Sequence, residues 1–281
     1  MLEQLLEVLQ MTPAGENRYA ACNMHPKAFR VYGGQVLAQA VMAARGTEEP
    51  ERLLHSQHAY FLRPGDPKQA ISYEVEHALD GGSFSSRRVV AMQHGKPIFV
   101  SSLSFQRPSR GESYQPQPLD VPPPESLESD RDRALATGTL EEDFMITTGE
   151  DLDIRVVDPI DWRAPEREPR APVLQSWMRT TRPLPADPAI HQSVLAYMSD
   201  AFLIDVCLAT RAQTFWDDSL QVASLDHALW FHADVRADEW LYHEVHTEAM
   251  SGGRGLARGN FYTRDGLLVA TAVQQGLMRF R

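Results

Sequence analysis

The chain has 281 residues, a formal charge of −11, 43% apolar side chains and two cysteines. That length supports two modest hydrophobic cores, and no apolar run approaches the length of a membrane span. The acidic balance argues against nonspecific nucleic-acid binding. Two isolated cysteines make no disulfide framework, so a reducing cytoplasm is the expected setting.

Met1 to Gln10 is amphipathic but lacks the basic start and continuous apolar centre of a leader, and reads as a packed N-terminal helix. Gly33 to Ala44 is rich in glycine and alanine. It reads as a helix that a sheet can approach closely, ending near Gly46. Strand-like runs follow at Leu54 to Leu62, Ala70 to Ala78, Ser85 to Gln93 and Pro97 to Gln106, with turns at Gly81-Gly82 and His94-Gly95. From Arg107 to about Glu150 the composition shifts to Pro, Ser, Gly and mixed charge, with one short helix expected near Ser129 to Thr137. Thirteen of the nineteen prolines lie between Arg107 and Ile190, which places the domain boundary there. The expected organisation is 1–107 and 151–281, joined by a Pro-rich linker over 108–150. Strand signals resume at Asp153 to Val157 and Val173 to Thr181.

Ser193 to Cys207 is apolar on nearly every side, the pattern of a buried helix. Asp200 is its anomaly, because a carboxylate is costly to bury unless something holds it or uses it. Strands at Gln221 to His232, Glu239 to Ala249, Gly255 to Thr263 and Gly266 to Met278 then repeat the earlier meander. His58-Ala-Tyr-Phe61 aligns with His227-Ala-Leu-Trp230, and Arg87 with Arg258. The pattern is an internal duplication of a unit that wraps an antiparallel sheet round a central helix.

Gly33-Gly-Gln-Val36, His55-Ser-Gln-His-Ala-Tyr-Phe-Leu-Arg-Pro-Gly-Asp66 and Gly95-Lys-Pro-Ile-Phe99 resemble the first half of the acyl-CoA thioesterase II family. Tyr197-Met-Ser-Asp200, Ser224-Leu-Asp-His-Ala-Leu-Trp-Phe-His232, Arg258-Gly-Asn-Phe-Tyr262 and Val273-Gln-Gln-Gly276 resemble its second half. The resemblance implies an α+β double hotdog fold, two hotdog repeats in one chain. It implies hydrolysis of fatty acyl-CoA to free fatty acid and CoA, without metal, cofactor or prosthetic group. In that family the catalytic trio is an Asp on the second central helix, a hydroxyl residue opening the next strand and a Gln on the last strand. Here the matching positions are Asp200, Ser224 and Gln274; Ser stands where bacterial relatives often have Thr.

The chemistry agrees with the resemblance. Asp200 can take a proton from water while Ser224 and Gln274 orient that water, and a backbone N–H near Gly34 or Ser199 is the expected oxyanion contact. By the repeat alignment, Gln274, Asp200 and Ser224 stand opposite Leu103, Gln35 and His55, so one catalytic centre per chain is expected.

Ser224, Asp226 and His227 invite a Ser-His-Asp reading. Strand alternation puts His227 on the opposite face from Ser224, and a Gly-x-Ser-x-Gly elbow is missing. His227 and His58 read as hydrogen-bonded structural residues. His243 and His246 have the wrong spacing for a zinc helix, and Cys207 reads as a small core residue. Arg87, Arg88, Arg254 and Arg258 are candidates for CoA phosphate contacts, with solvated strand ends as the alternative. Competing functions are a hotdog enoyl-CoA hydratase and a non-catalytic acyl-CoA-binding module. Exposed sheet edges, together with the resemblance, lead to the expectation of a homodimer or dimer of dimers.

Overall fold

The computed structural model describes residues 2–25, 28–138, 150–160, 164, 167–215 and 217–280. Part of the expected linker, 139–149, lies outside them. In chain order the elements are α1 (Leu2–Leu9), β1 (Thr12–Gly15), β2 (Arg18–Ala21), α2 (Gly33–Arg45), β3 (Leu53–Phe61), β4 (Ile71–Asp80), β5 (Phe84–Gln93) and β6 (Lys96–Gln106). Then come α3 (Asp130–Ala136), β7 (Leu152–Val156), β8 (Val173–Thr180), α4 (Pro188–Ser199), α5 (Asp205–Ala209), β9 (Leu220–Ser224), β10 (Asp226–Phe231), β11 (Leu241–Ser251), β12 (Arg254–Thr263) and β13 (Leu268–Phe280).

One antiparallel sheet runs in the order β1-β2-β4-β5-β6-β3-β10-β13-β12-β11-β8-β7, with β9 also paired to β13. Traced inward from either end the order is the same, β1-β2-β4-β5-β6-β3 matching β7-β8-β11-β12-β13-β10. This is the double hotdog, two copies fused edge to edge through β3 and β10, where Ala59 pairs with His227 and His58 with Ala228. The central helices α2 and α4 pack side by side within it. Alanines make that closeness possible: Ala38, Ala40, Ala43 and Ala44 of α2 are fully buried. The α4 helix starts at Pro188, earlier than its apolar stretch suggests. Pro188 suits the first turn, and the Asp187 side chain accepts the Ala189 N–H at 2.9 Å.

Three local features depart from the sequence reading. The β1–β2 hairpin was not anticipated, because these strands are short and β1 is fully exposed. The long apolar helix is broken: α4 stops at Ser199, Asp200 caps it, and Phe202 takes a left-handed φ of 68° before α5 begins at Asp205. Asp200 therefore sits at a helix end, and Asp205 is a second carboxylate in the same stretch. The strand expected over Gln221 to His232 splits at Leu225, whose N–H goes to Gln275 O and whose carbonyl accepts from Phe61 N–H.

The repeat alignment also shifts. His58 is exposed, its ring against Trp230, whereas His227 is buried. Strand faces alternate, so a one-residue slip reverses every side chain. The inward residue matching His227 is Gln57, which pairs with Leu103 on β6 as His227 meets Gln274 on β13. Asp200, capping α4, corresponds by position along the helix to Gly46, which caps α2, rather than to Gln35. On the outer face of the second copy the Pro-rich segment lies as a strap. Val121 and Leu127 cover Trp177, Trp240, Tyr242, Tyr262 and Leu268, and Trp177 Nε1 donates to Pro122 O at 2.9 Å.

Candidate active site

Asp200 stands where the C-terminus of α4 meets the N-terminus of α2. Its Oδ2 accepts the Gly34 N–H at 2.9 Å. The two helix ends act in opposition, the carbonyl end of α4 disfavouring negative charge and the N–H end of α2 favouring it. The approach needs two glycines. A Cβ on Gly33 would lie 2.7 Å from Asp200 Oδ2, and one on Gly34 would overlap Tyr197 O and the Tyr32 ring. Burial pushes the Asp200 carboxyl up to about 6, while the Gln274 amide, the Gly34 N–H and the Arg30 charge hold it from rising further. Asp200 Oδ1 makes no hydrogen bond of good geometry among the described residues, although the Gln274 amide is close enough to act on its pKa. That leaves Asp200 a lone pair for a proton.

Gln274 lies on the inner face of β13, 1% exposed. Its Nε2 donates to Ser224 Oγ at 3.2 Å, and its Oε1 lies 2.7 Å from His227 Nδ1. Asp200, Ser224 and Gln274, read from the sequence as the site, are thus brought together. His227 joins them, which strand alternation had excluded. The break at Leu225 undoes that alternation: Ser224 pairs with Gly276 on β13, but Ala228 pairs with Val273, so one extra residue is accommodated between them. Both side chains then point inward at Gln274. A Ser-His-Asp relay still does not form, because Gln274 stands between Ser224 and His227, and Asp226 Oδ1 accepts the Gln275 N–H.

The two expected oxyanion donors fit poorly. The Gly34 N–H is taken up by Asp200, and Ser199 closes the last turn of α4, the end that presents carbonyls. Of the arginines weighed as CoA contacts, Arg87 is buried between Glu48 and Asp80, Arg88 faces Glu76, Arg258 faces Glu248 and Arg254 bonds Gly252 O. His243 is buried and stacked on Phe261 at 4.0 Å between ring centres, while His246 bonds Glu244.

A cavity of about 760 Å³ opens onto the site, lined by Asp200, Ser224 and Gln274 together with Tyr32, Arg30 and Asp205. Arg30 Nη1 donates to Val222 O at 3.3 Å, which holds its positive charge at the cavity wall near Asp200. Asp205 is half-buried, its open part facing the cavity. Burial, and then the charge of Asp200, push it up to about 7. Sequence reasoning missed both residues. Asp205 carried a signal, being a second carboxylate in the stretch where the first was noticed.

Comparisons with known proteins agree over the whole chain. A family model described as acyl-CoA thioesterase matches residues 168–277, and one described as acyl-CoA thioesterase N-terminal domain matches residues 22–106. The chain is 33% identical to acyl-coenzyme A thioesterase 8 of Homo sapiens, over 98% of this chain and 88% of that one. It is 36% identical to the acyl-CoA thioesterase II TesB2 of Mycobacterium marinum, with a TM-score of 0.81 over 100% of this chain and 99% of that chain. A hot dog fold protein from Alicyclobacillus acidocaldarius, 18% identical, superposes with a TM-score of 0.76 over 100% of this chain and 98% of its own, a likeness of fold.

Proposed function

Because the chain belongs to the acyl-CoA thioesterase II family, we propose that it hydrolyses fatty acyl-CoA to free fatty acid and CoA, with Asp200 as base and Ser224 and Gln274 as positioning groups. The observation that carries the reading is the meeting of these three side chains at the wall of one cavity. Water held by Ser224 and Gln274 attacks the thioester carbonyl as its proton passes to Asp200. The oxyanion then collapses, the C–S bond breaks, and the proton goes from Asp200 to the departing thiolate. Fixing water and base in place lowers the barrier, and proton transfer to a positioned base contributes typically 10²–10⁴-fold.

The raised carboxyl pKa suits this role, since a base is most effective when its pKa lies near the working pH. Gln274 and Ser224 have counterparts without that chemistry in the first copy, where Leu103 stands in place of Gln274 and, at the offset that matches His227 to Gln57, Leu54 in place of Ser224, so we assign one centre to each chain. Both nitrogens of His227 are engaged behind Gln274, which favours hydrolysis over hydration of an enoyl-CoA. We further take residues 1–107 and 151–281 as the two repeats and the cytoplasm as the compartment. A homodimer or dimer of dimers would cover the sheet edges at β1 and β7. No helix among the described residues is long and apolar enough to cross a membrane.

The test is thiol release from acyl-CoAs of graded chain length, followed with a chromogenic thiol reagent. Release by the native protein and its loss in Asp200→Asn support the reading; no release at any chain length sinks it. Loss of enoyl absorbance without thiol release would establish hydration instead. Single-turnover hydrolysis in heavy-oxygen water should leave Asp200 unlabelled, because no anhydride forms.

A further inference from the structure

Behind the site runs a buried polar chain. Ser199 Oγ lies 3.0 Å from His227 Nε2, His227 Nδ1 lies 2.7 Å from Gln274 Oε1, and Gln274 Nε2 donates to Ser224 Oγ at 3.2 Å. Ser199, His227 and Gln274 are each at most 1% exposed. Burial lowers His227 to about 4, so the ring is neutral at working pH and carries one N–H. Which nitrogen holds it decides what the chain can do.

Two closed arrangements satisfy the contacts. In the first, His227 carries its proton on Nδ1 and donates to Gln274 Oε1, and the Ser199 hydroxyl donates to Nε2. Both N–H bonds of Gln274 then face the reaction side, toward Ser224 and Asp200. In the second, the amide is turned over. Gln274 donates to an unprotonated Nδ1, His227 donates from Nε2 to Ser199 Oγ, and the Ser199 hydroxyl turns to Ala196 O, 2.9 Å away. The amide oxygen then points at the Asp200 side, setting an acceptor against a carboxylate where a donor is needed. With Asp200 ionised, the first arrangement is favoured by the attraction between amide N–H and anion.

We infer that His227, through an N–H held on Nδ1, is a positioning residue that fixes the Gln274 amide with its donors toward Asp200 and Ser224. The inference rests on the thioesterase reading for its kinetic consequence, though not for its structural one. His227 touches neither substrate nor water. It acts by denying Gln274 the overturned amide, in which the water would lose a donor and the base would face a dipole of the wrong sign.

The structural arm needs no substrate. Two-dimensional nitrogen–proton spectra of histidine-labelled protein report the tautomer of each neutral imidazole. His227 should show the Nδ1–H form, and an Nε2–H form would overturn the inference even if the protein proves an active thioesterase. The kinetic arm compares three variants. In His227→Asn the amide nitrogen can occupy the place of Nδ1, and kcat should stay within roughly tenfold of native. In His227→Gln the nitrogen lies nearer the place of Nε2, and in His227→Leu there is none, so kcat should fall about a hundredfold in both with KM little changed. Equal losses in all three, or losses that follow the unfolding midpoint, would mean a purely structural histidine. If the native protein releases no thiol, the thioesterase reading fails alone, and the tautomer spectrum still decides this inference.

Discussion

Gly34, on the central helix of the first copy, donates its peptide N–H to the carboxylate of Asp200, at the end of the central helix of the second. Asp200 is thus held by backbone from one half of the chain while Gln274, the side chain that faces it, comes from a strand of the other half. Gly34→Ala tests that dependence. The added methyl group meets Tyr197 O, which is backbone and cannot swing aside. The gain in helix propensity, about 1 kcal/mol, is opposed by an overpacking cost of about 1–3 kcal/mol. The expected result is a net loss of stability in urea unfolding, and a fall in kcat of about a hundredfold as the helix ends part.

Asp200→Asn should abolish thiol release yet make the protein more stable. The folded carboxyl titrates at about 6 against an ordinary value of 3.8. Between those values the folded state holds a proton that the unfolded state has lost, so native stability falls as pH rises through that window and stays low above it. Asparagine cannot ionise and escapes the loss. The variant should exceed the native protein by on the order of 2–3 kcal/mol above the window, the difference vanishing below it. Urea unfolding at the two ends of the window measures this.

The pH profile should have two steps. With Asp200 as the proposed base, thiol release should require its ionised form, and kcat/KM should rise as pH passes about 6. Asp205 ionises later, near 7, because burial and the charge already on Asp200 both resist it. The two values belong to an interacting pair. In Asp205→Asn the upper step should vanish while the lower one stays in place. A profile that moves as a whole would mean the two carboxylates titrate in the reverse order.

Arg87 should matter for folding and not for substrate. Its guanidinium, 3% exposed, pairs with Glu48 at 2.7 Å and donates to Asp80 at 2.6 Å. Arg87→Met leaves the buried Glu48 carboxylate only the Ser85 hydroxyl at 2.8 Å and Arg52 at 3.8 Å, and breaking a buried pair costs up to about 3–5 kcal/mol. Where the variant remains folded, KM for acyl-CoA should be unchanged. A large rise in KM would return Arg87 to the substrate.

Much of the architecture was legible because it rests on period and punctuation. The meander strands alternate, the His94-Gly95 turn has both residues at positive φ, and the duplicated order fixes which strands neighbour. Motif order singled out Asp200, Ser224 and Gln274, and all three line one cavity. What was hidden depends on single-residue irregularities. The bulge at Leu225 reversed the predicted direction of His227, and the left-handed Phe202 ended a helix whose composition gave no reason to stop. The Gly34–Asp200 contact was hidden for another reason: it joins residues 166 apart, and sequence patterns do not say which helix ends abut.

The seam between β3 and β10 bears on concentration. Two separate hotdog chains would need to associate before a base on one could meet a donor on the other, and dilution would part them. Here both halves belong to one polypeptide, so their meeting is intramolecular. The contact of Gly34 with Asp200 is therefore made within one chain and does not depend on dilution. The first copy serves the second as a permanently attached partner.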